Sequence, residues 1–242
     1  MKKGMVDWLA QDKADIVCLQ EVKANREDVD LSLIESLGYD IHWFSAEKKG
    51  YSGVAILSRI KADKIIAGTR HEQSDREGRV ICADFKELSI LNAYFPSGTS
   101  GDVRQDYKYV WLEEFMDHVR ELRKKRKKLI ICGDYNIAHR EIDIHNPVSN
   151  KNSSGFLPEE RAWFDRFLEE GFVDCFRHLN KEPHHYSWWS QRFPSVRAEN
   201  KGWRIDYISA TDNLADNINK SGMLPDARHS DHCPVFTEFK KL

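Results

Sequence analysis

Asp134 and Asn136 stand two positions apart at the end of the stretch Lys128-Leu129-Ile130-Ile131-Cys132-Gly133-Asp134-Tyr135-Asn136. Glu21 closes a second apolar run (residues 15–20), and Asp206 lies in a third (202–210). Asp231-His232 immediately precedes a fourth (234–239), and Tyr94 lies near the end of a fifth (89–95). Apolar strands that each deliver an acid, an amide or an imidazole to one edge build a convergent anionic pocket. Carboxylates packed together repel, so such a pocket favours a cation. Ligand atoms that are all hard oxygens select Mg²⁺ or Mn²⁺ over zinc. A metal polarising a phosphate, a water aligned by a carboxylate and an imidazole opposite is an arrangement suited to phosphodiester hydrolysis. Each residue taken singly has an ordinary structural role: an Asp/Asn turn, a solvated strand end, a surface His–Asp pair or a core tyrosine. The joint pattern is what distinguishes them.

The elements that must position these groups follow from periodicity. Residues 129–132 form an apolar, β-branched run of the kind buried on both faces of a sheet. Gly133 is expected to permit a sharp exit from that strand. Side chains two apart in an extended segment share a side, which sends Asp134 and Asn136 into one pocket. Further strands are expected over residues 39–45, 53–58 and 80–85, with turns at Gly50 and Gly78. Helices are expected over 5–11, over 31–37 closed by Gly38, and over 102–125. The last of these places Tyr109, Leu112, Phe115, Met116 and Val119 on one face. Pro158 opens a helix continuing over 159–170, with Trp163, Phe164 and Phe167 turned inward. Residues 137–157 read as a long irregular segment, of a length that is usually functional or mobile. Clustered strands separated by a few helices, without repeats, imply an α/β (α+β) chain with two packed sheets covered by helices, in one domain over residues 1–242.

Composition narrows the class. Hydrophobic residues make up 40% of the 242 and charged residues 31%, enough to bury a core. The net charge of −2 does not announce a polyanion partner. The run Arg120-Glu121-Leu122-Arg123-Lys124-Lys125-Arg126-Lys127-Lys128 is locally basic, and reads first as the solvated end of a helix, where cations suit the macrodipole. No apolar run reaches membrane-spanning length, and the N-terminus lacks the apolar core of a signal peptide. The five cysteines are odd in number and lack zinc-site spacing, which points to a reducing, cytoplasmic compartment.

Four stretches carry a resemblance: Leu19-Gln20-Glu21-Val22-Lys23, Gly133-Asp134-Tyr135-Asn136-Ile137, Gly202-Trp203-Arg204-Ile205-Asp206-Tyr207 and Ser230-Asp231-His232-Cys233-Pro234-Val235. Asn92-Ala93-Tyr94-Phe95-Pro96 and Gly155-Phe156-Leu157-Pro158-Glu159-Glu160-Arg161 add to them. Together they resemble the motifs of the exonuclease III family of apurinic/apyrimidinic endonucleases, within the endonuclease/exonuclease/phosphatase superfamily. The resemblance covers essentially the whole chain. Its Gly-Trp-Arg and Gly-Phe-Leu-Pro stretches are the more specific to the DNA repair branch.

The resemblance implies a DNase I-like four-layer α/β-sandwich of two mixed sheets flanked by helices. It implies cleavage of duplex DNA 5′ to an abasic site, with Mg²⁺ (or Mn²⁺) as cofactor, by a monomer that also meets 3′-blocked ends. It further implies 3′→5′ exonuclease and 3′-phosphatase or 3′-phosphodiesterase activity as side activities. By this resemblance Glu21 binds the metal and Asp231 is a second acid near it. Asp134 orients the attacking water and, with Asn136, contributes to the metal site. His232, held by Asp206, contacts the scissile phosphate, as does Tyr94. Trp188, Trp203 and Ile205 line a slot for a flipped abasic sugar, which excludes a normal nucleotide.

The sequence departs from the family at its start. Met1-Lys2-Lys3-Gly4 corresponds to the start of the family's first helix, so the strand that carries an Asn before it is missing. An N-terminally truncated domain of low stability and activity is therefore expected, because a lost buried strand exposes ladder groups on its neighbours. Two other functions compete: a superfamily phosphoesterase acting on a small phosphoester, and a DNA-binding module impaired in catalysis.

Overall fold

A computed structural model of the protein describes residues 4–193 and 195–240. The chain divides into two units: one runs to Tyr94 and takes in Leu122–Gly133, the other comprises Phe95–Glu121 and the chain from Asp134 onward. Met1–Lys3, where the first helix was expected to start, lie outside the described residues.

The first unit opens with α1 (Met5–Asp12), β1 (Ile16–Gln20), α2 (Ser32–Ser36), β2 (Asp40–Phe44) and β3 (Val54–Ser58). β3 pairs antiparallel with both β1 and β2, setting Cys18 opposite Ile56 and Trp43 opposite Ala55. All five β3 residues are buried, whereas its two flanking strands are mostly half-buried. Leu9, Leu31, Ile34 and Tyr39 pack with Leu57 beneath the two helices. There follow β4 (Lys64–Ala67), α3 (Glu72–Arg76), β5 (Val80–Phe85) and β6 (Leu88–Tyr94), the strands joined as an antiparallel meander. Buried Asn92 ties this meander to the first sheet. Its Nδ2 donates to the Leu19 and Ala55 carbonyls at 2.9 and 2.8 Å, and its Oδ1 accepts from Gln20 Nε2 at 2.6 Å.

α4 (Asp102–Arg123) then leads to β7 (Lys128–Asp134), the neighbour of β6. Gly133 does not end the strand, as the sequence suggested; β7 continues through it to Asp134. The glycine serves close approach instead, since a Cβ there would run into the Ala93 carbonyl oxygen. The basic run is matched by acids. Arg126 grips Asp84 with two bonds at 2.8 and 2.7 Å, Lys128 lies 3.4 Å from Glu87, and Arg120 reaches Glu170 and Asp117.

The second unit holds α5 (Pro147–Asn150), α6 (Pro158–Glu169), β8 (Phe172–Asp174), α7 (Cys175–Leu179), α8 (Ser195–Ala198), β9 (Asp206–Thr211), β10 (Ile218–Met223) and β11 (Val235–Phe239). β8 pairs with β9 and β10 with β11, both antiparallel. Its core is aromatic. Phe95 stacks on Tyr135 at 4.3 Å and meets Trp111, Phe115 and Trp163, while Phe164 and Phe167 of α6 close on Tyr135. On α4 the buried residues are Lys108, Trp111, Leu112, Phe115, Met116, Val119 and Leu122; Tyr109, expected among them, is only half-buried. Leu112, Phe115, Met116 and Val119 are on the buried face as expected, with Tyr109 at its margin and Lys108 in the core.

β4, β8 and β10 went unexpected. Two are very short, and the third, Ile-Asn-Lys-Ser-Gly-Met, is polar and half-exposed, so none carries a period-two apolar signal. The strand expected from Gly202 begins only at Asp206; Trp203 before it makes isolated bridges to Ile144 and Trp188. The long segment after β7 is cross-braced rather than loose. Ala138 N donates to the Gly155 carbonyl at 2.7 Å, and buried Asp143 accepts from Arg177 and Arg204.

Candidate active site

β7 delivers Asp134, only 5% exposed, to the second unit. Asn136 then takes a left-handed backbone, φ 50°, where asparagine is better tolerated than most residues. The turn, rather than strand alternation, brings the two side chains together. Asn136 N donates to Asp134 Oδ1 at 2.8 Å and Asn136 Nδ2 to Asp134 Oδ2 at 3.2 Å. The same amide donates to the Phe95 carbonyl at 3.0 Å. Both carboxylate oxygens of Asp134 are thereby oriented by one neighbour.

Asp206 opens β9, and both its carboxylate oxygens accept from His232 Nδ1, at 3.0 and 2.9 Å. The Ser187 hydroxyl accepts from the backbone N–H groups of Ile205 and Asp206, at 3.1 Å each, and so fixes the start of the strand. Burial disfavours the charged imidazole of His232, but Asp206 beside it, then Asp134 and Asp231, outweigh this and push its pKa up to about 10. His232 is therefore an imidazolium at neutral pH, with Nδ1–H on Asp206 and Nε2–H directed elsewhere. Asp134, Asp206 and His232 bring one ligand-type atom each within 4.8 Å of one another. With the imidazole protonated, the trio is an ion pair beside an acid, and its oxygen donors are the carboxylates of Asp134 and Asp206.

Asp231 accepts from Trp188 Nε1 at 3.0 Å and from the Ser230 hydroxyl at 3.1 Å. Burial raises its pKa, but the His232 charge and the Trp188 N–H more than offset this and hold it below the usual range. Trp188 and Trp203 meet edge to face at 6.1 Å and exchange backbone hydrogen bonds at 2.9 Å. Both are half-buried and pack on Ala138, Ile144, Phe156 and Ile205, forming an apolar wall next to the Asp231–His232 pair.

In the first unit, Glu21 follows β1 at φ 52° and accepts from the Tyr94 hydroxyl and, at 2.9 Å, from Lys23 Nζ. Buried Arg79 lies over the Tyr94 ring at 4.8 Å and donates to the Tyr94 carbonyl at 2.8 Å. The structure thus joins Glu21 with Tyr94. It gathers Asp134 and Asn136, Asp206, Asp231 and His232, and Trp188, Trp203 and Ile205 in the second unit.

This constellation can hold an anion against an imidazolium while a fixed carboxylate orients a water. Residues 2–232 match the Endonuclease/Exonuclease/phosphatase family. The chain belongs to that family. It is 42% identical over 235 residues to an exodeoxyribonuclease of Bacillus subtilis (strain 168), covering 97% of this chain and 91% of the relative. Among solved structures, an AP endonuclease from Archaeoglobus fulgidus superposes with a TM-score of 0.88 at 29% identity, covering 97% of this chain and 92% of the other. A 3′ phosphatase from Neisseria, solved with a product DNA hairpin, superposes with a TM-score of 0.91 at 28% identity, covering 98% and 93%. The resemblance to the exonuclease III branch therefore holds, and so does the DNase I-like class of mixed sheets flanked by helices. This family member is a DNA repair nuclease, a metal-dependent hydrolase of phosphodiesters. Among the described residues no helix is long and apolar enough to cross a membrane.

Several residues that hold the family's site gave no separate signal in the sequence. Ser187 and Arg79 lie outside the motifs. Arg197 lies over the Trp189 ring at 4.5 Å and donates to the carbonyls of Pro225, Ala227 and Ser230 at 2.8, 3.0 and 2.9 Å. It clamps the loop that presents Asp231 and His232. An arginine that binds carbonyls has no fixed spacing to recognise. Arg197→Met keeps the stem but removes the donors. We expect faster amide hydrogen exchange over residues 224–231 and about a 10-fold lower kcat, in line with the sensitivity of hydrolysis to positioning. Unchanged exchange in that loop would show that the clamp is dispensable.

Proposed function

We propose that the enzyme hydrolyses the phosphodiester 5′ to an abasic site in duplex DNA, leaving a 3′-hydroxyl, with Mg²⁺ (or Mn²⁺) as its metal. The observation that carries this reading is the Asp206–His232 ion pair set beside an oriented carboxylate on one side and the Trp188–Trp203–Ile205 wall on the other. Hydrolysis of a phosphodiester demands mostly positioning and charge stabilisation. Asp134, its oxygens aimed by Asn136, orients the attacking water and takes its proton. His232 presents Nε2–H and a positive charge to the phosphate, and Asp206 keeps the ring charged and in place. The bond from phosphorus to the 3′ oxygen breaks, and that oxygen takes up a proton.

In the second unit the oxygen donors of Asp231, Asp134 and Asn136 suit a hard divalent cation, and the His232 charge and the Trp188 N–H favour the ionised form of Asp231. Such an ion, when bound, polarises the phosphoryl group. The half-buried tryptophans with Ile205 favour a sugar that lacks its base over a full nucleotide, by size and by apolar contact. The same chemistry applied at a 3′ end gives 3′→5′ exonuclease and 3′-phosphatase or 3′-phosphodiesterase activity on 3′-blocked duplexes. We assign the enzyme to the cytoplasm, acting as a monomer.

The test compares an abasic duplex, the intact duplex and a soluble phosphomonoester. Cleavage 5′ to the lesion, about 100-fold or more above internal cutting of intact duplex, is expected in Mg²⁺ and is abolished by EDTA. Equal internal cutting of intact duplex, or faster turnover of the soluble ester, would overturn the reading.

A further inference from the structure

Lys108 of α4 and Glu160 of α6 form an ion pair at 2.6 Å, and both side chains are entirely buried. Glu160 lies in the Gly-Phe-Leu-Pro-Glu-Glu-Arg stretch, to which none of the steps above assigns a task. Its Oε2 accepts from the backbone N–H groups of Gly155 and Leu157 at 2.6 and 3.0 Å, and its Oε1 also accepts from Gln105 Nε2 at 3.2 Å. Lys108 Nζ donates at 2.8 Å to the carbonyl of Asn136. That carbonyl lies 3.0 Å from where a Cβ on Gly155 would be, so the Glu160-bound loop closes directly over it.

Burying an ion pair this deeply seldom adds stability over an apolar pair of the same size. A stability role alone therefore explains it poorly. The residue it grips is the one held at positive φ, whose N–H and side-chain amide orient both oxygens of Asp134. We propose that Lys108, held by Glu160, is a positioning residue for hydrolysis: it fixes the Asn136 peptide in its left-handed turn and through it aims the Asp134 carboxylate. The proposal rests on the role given above to Asp134 and Asn136. Burial lowers the pKa of Lys108, while Glu160 and then Asp134 raise it, so the ammonium also senses the carboxylate that it helps to orient.

The test separates positioning from stability. Lys108→Met leaves Glu160 charged, buried and unpaired, and is expected to fold poorly. K108M/E160Q removes both charges at nearly constant shape and is expected to melt within a few degrees of the parent. We expect this double variant to keep kcat about 10- to 100-fold low with KM changed less than about threefold, as for a displaced catalytic group. Amide exchange over residues 134–138 is expected to be faster in it, because the Asn136 carbonyl still lacks its donor. Glu160→Gln alone, which retains the Lys108 donor, should lose stability yet keep kcat within about threefold of the parent. A double variant with restored melting temperature, kcat within about twofold of the parent and unchanged exchange would overturn the proposal. Rates are compared on whichever duplex the parent hydrolyses, abasic or 3′-ended. A wrong substrate assignment then shows in the parent, and a wrong role for Lys108 shows in the ratio.

Discussion

Asp206→Asn is expected to lower kcat on an abasic duplex by up to about 10⁴-fold, the loss seen when the acid partner of a catalytic histidine is made neutral. It is also expected to move the alkaline limb of the pH profile. In the parent, Asp206 is the largest influence opposing burial at His232, and the imidazolium persists to about pH 10. Without that carboxylate the largest influence opposing burial is gone and the ring loses its proton at lower pH, so activity that needs the cation falls at lower pH than in the parent. Stability follows with a defined sign. The folded pKa of about 10 exceeds the ordinary value of 6.5, so the ion pair stabilises the fold fully below about pH 6.5 and progressively less as pH rises towards 10. The variant should lack this decline. Profiles of kcat against pH for both proteins, with melting curves at pH 6 and 10, provide the check. An alkaline limb at the same pH in both would refute the role given to the pair.

The parts of the fold and site that could be read in the sequence are those written in apolar contrast. β5 was expected at its observed limits, and β1, β3, β6 and β7 to within a residue or two, because β-branched runs ending in Glu21, Ser58, Tyr94 or Asp134 are visible without partners. The stretches around Asp134, Asp206 and His232 likewise gave the acids, amide and imidazole that the second unit gathers. Their geometry was a different matter. Asp134 and Asn136 were placed together by strand alternation, whereas a positive φ at Asn136 does it. Such a turn costs an L-residue energy locally and is held by groups far away in sequence, notably Lys108. Lys108 itself was hidden by its type. Periodicity assigns lysines to solvent, and Glu160, 52 residues later, helps make its burial tolerable. For the same reason Tyr109 took its place on the expected apolar face. The segment after β7 looked loose because its bracing comes from charged pairs, which a hydropathy pattern counts as exposed.

That bracing sets the second large effect. Arg204, wholly buried, donates to Asp143 Oδ1 and Asp174 Oδ2 at 2.7 Å each and lies over the Tyr207 ring at 4.3 Å. Its N–H binds the Asp143 carbonyl at 2.7 Å, and Arg177 adds two bonds to the same carboxylate. Burial alone would raise the Asp143 pKa, but Arg204 and then Arg177 overcome this and hold it at about 2. Arg204→Met leaves two buried carboxylates with one guanidinium between them, a loss of about 3–5 kcal/mol. For a chain of this size that corresponds to a fall in melting temperature of roughly 6–20 °C. The acid side gives a second readout. A folded pKa of about 2 against an ordinary 3.8 means that Asp143 stabilises the fold above about pH 4, and that this is lost as pH falls towards 2. The variant should lose stability at neutral pH and lose less on acidification. Asp143→Asn combined with Arg204→Met should recover part of the loss, since it removes a charge left short of partners. Because Arg204 lies between Trp203 and Ile205 and two residues before Asp206, its removal should loosen both the apolar wall and the start of β9. Activity is therefore expected to fall even well below the melting temperature. A change of less than about 1 kcal/mol, with activity intact, would mean that the aromatic packing holds this strand without the ion network.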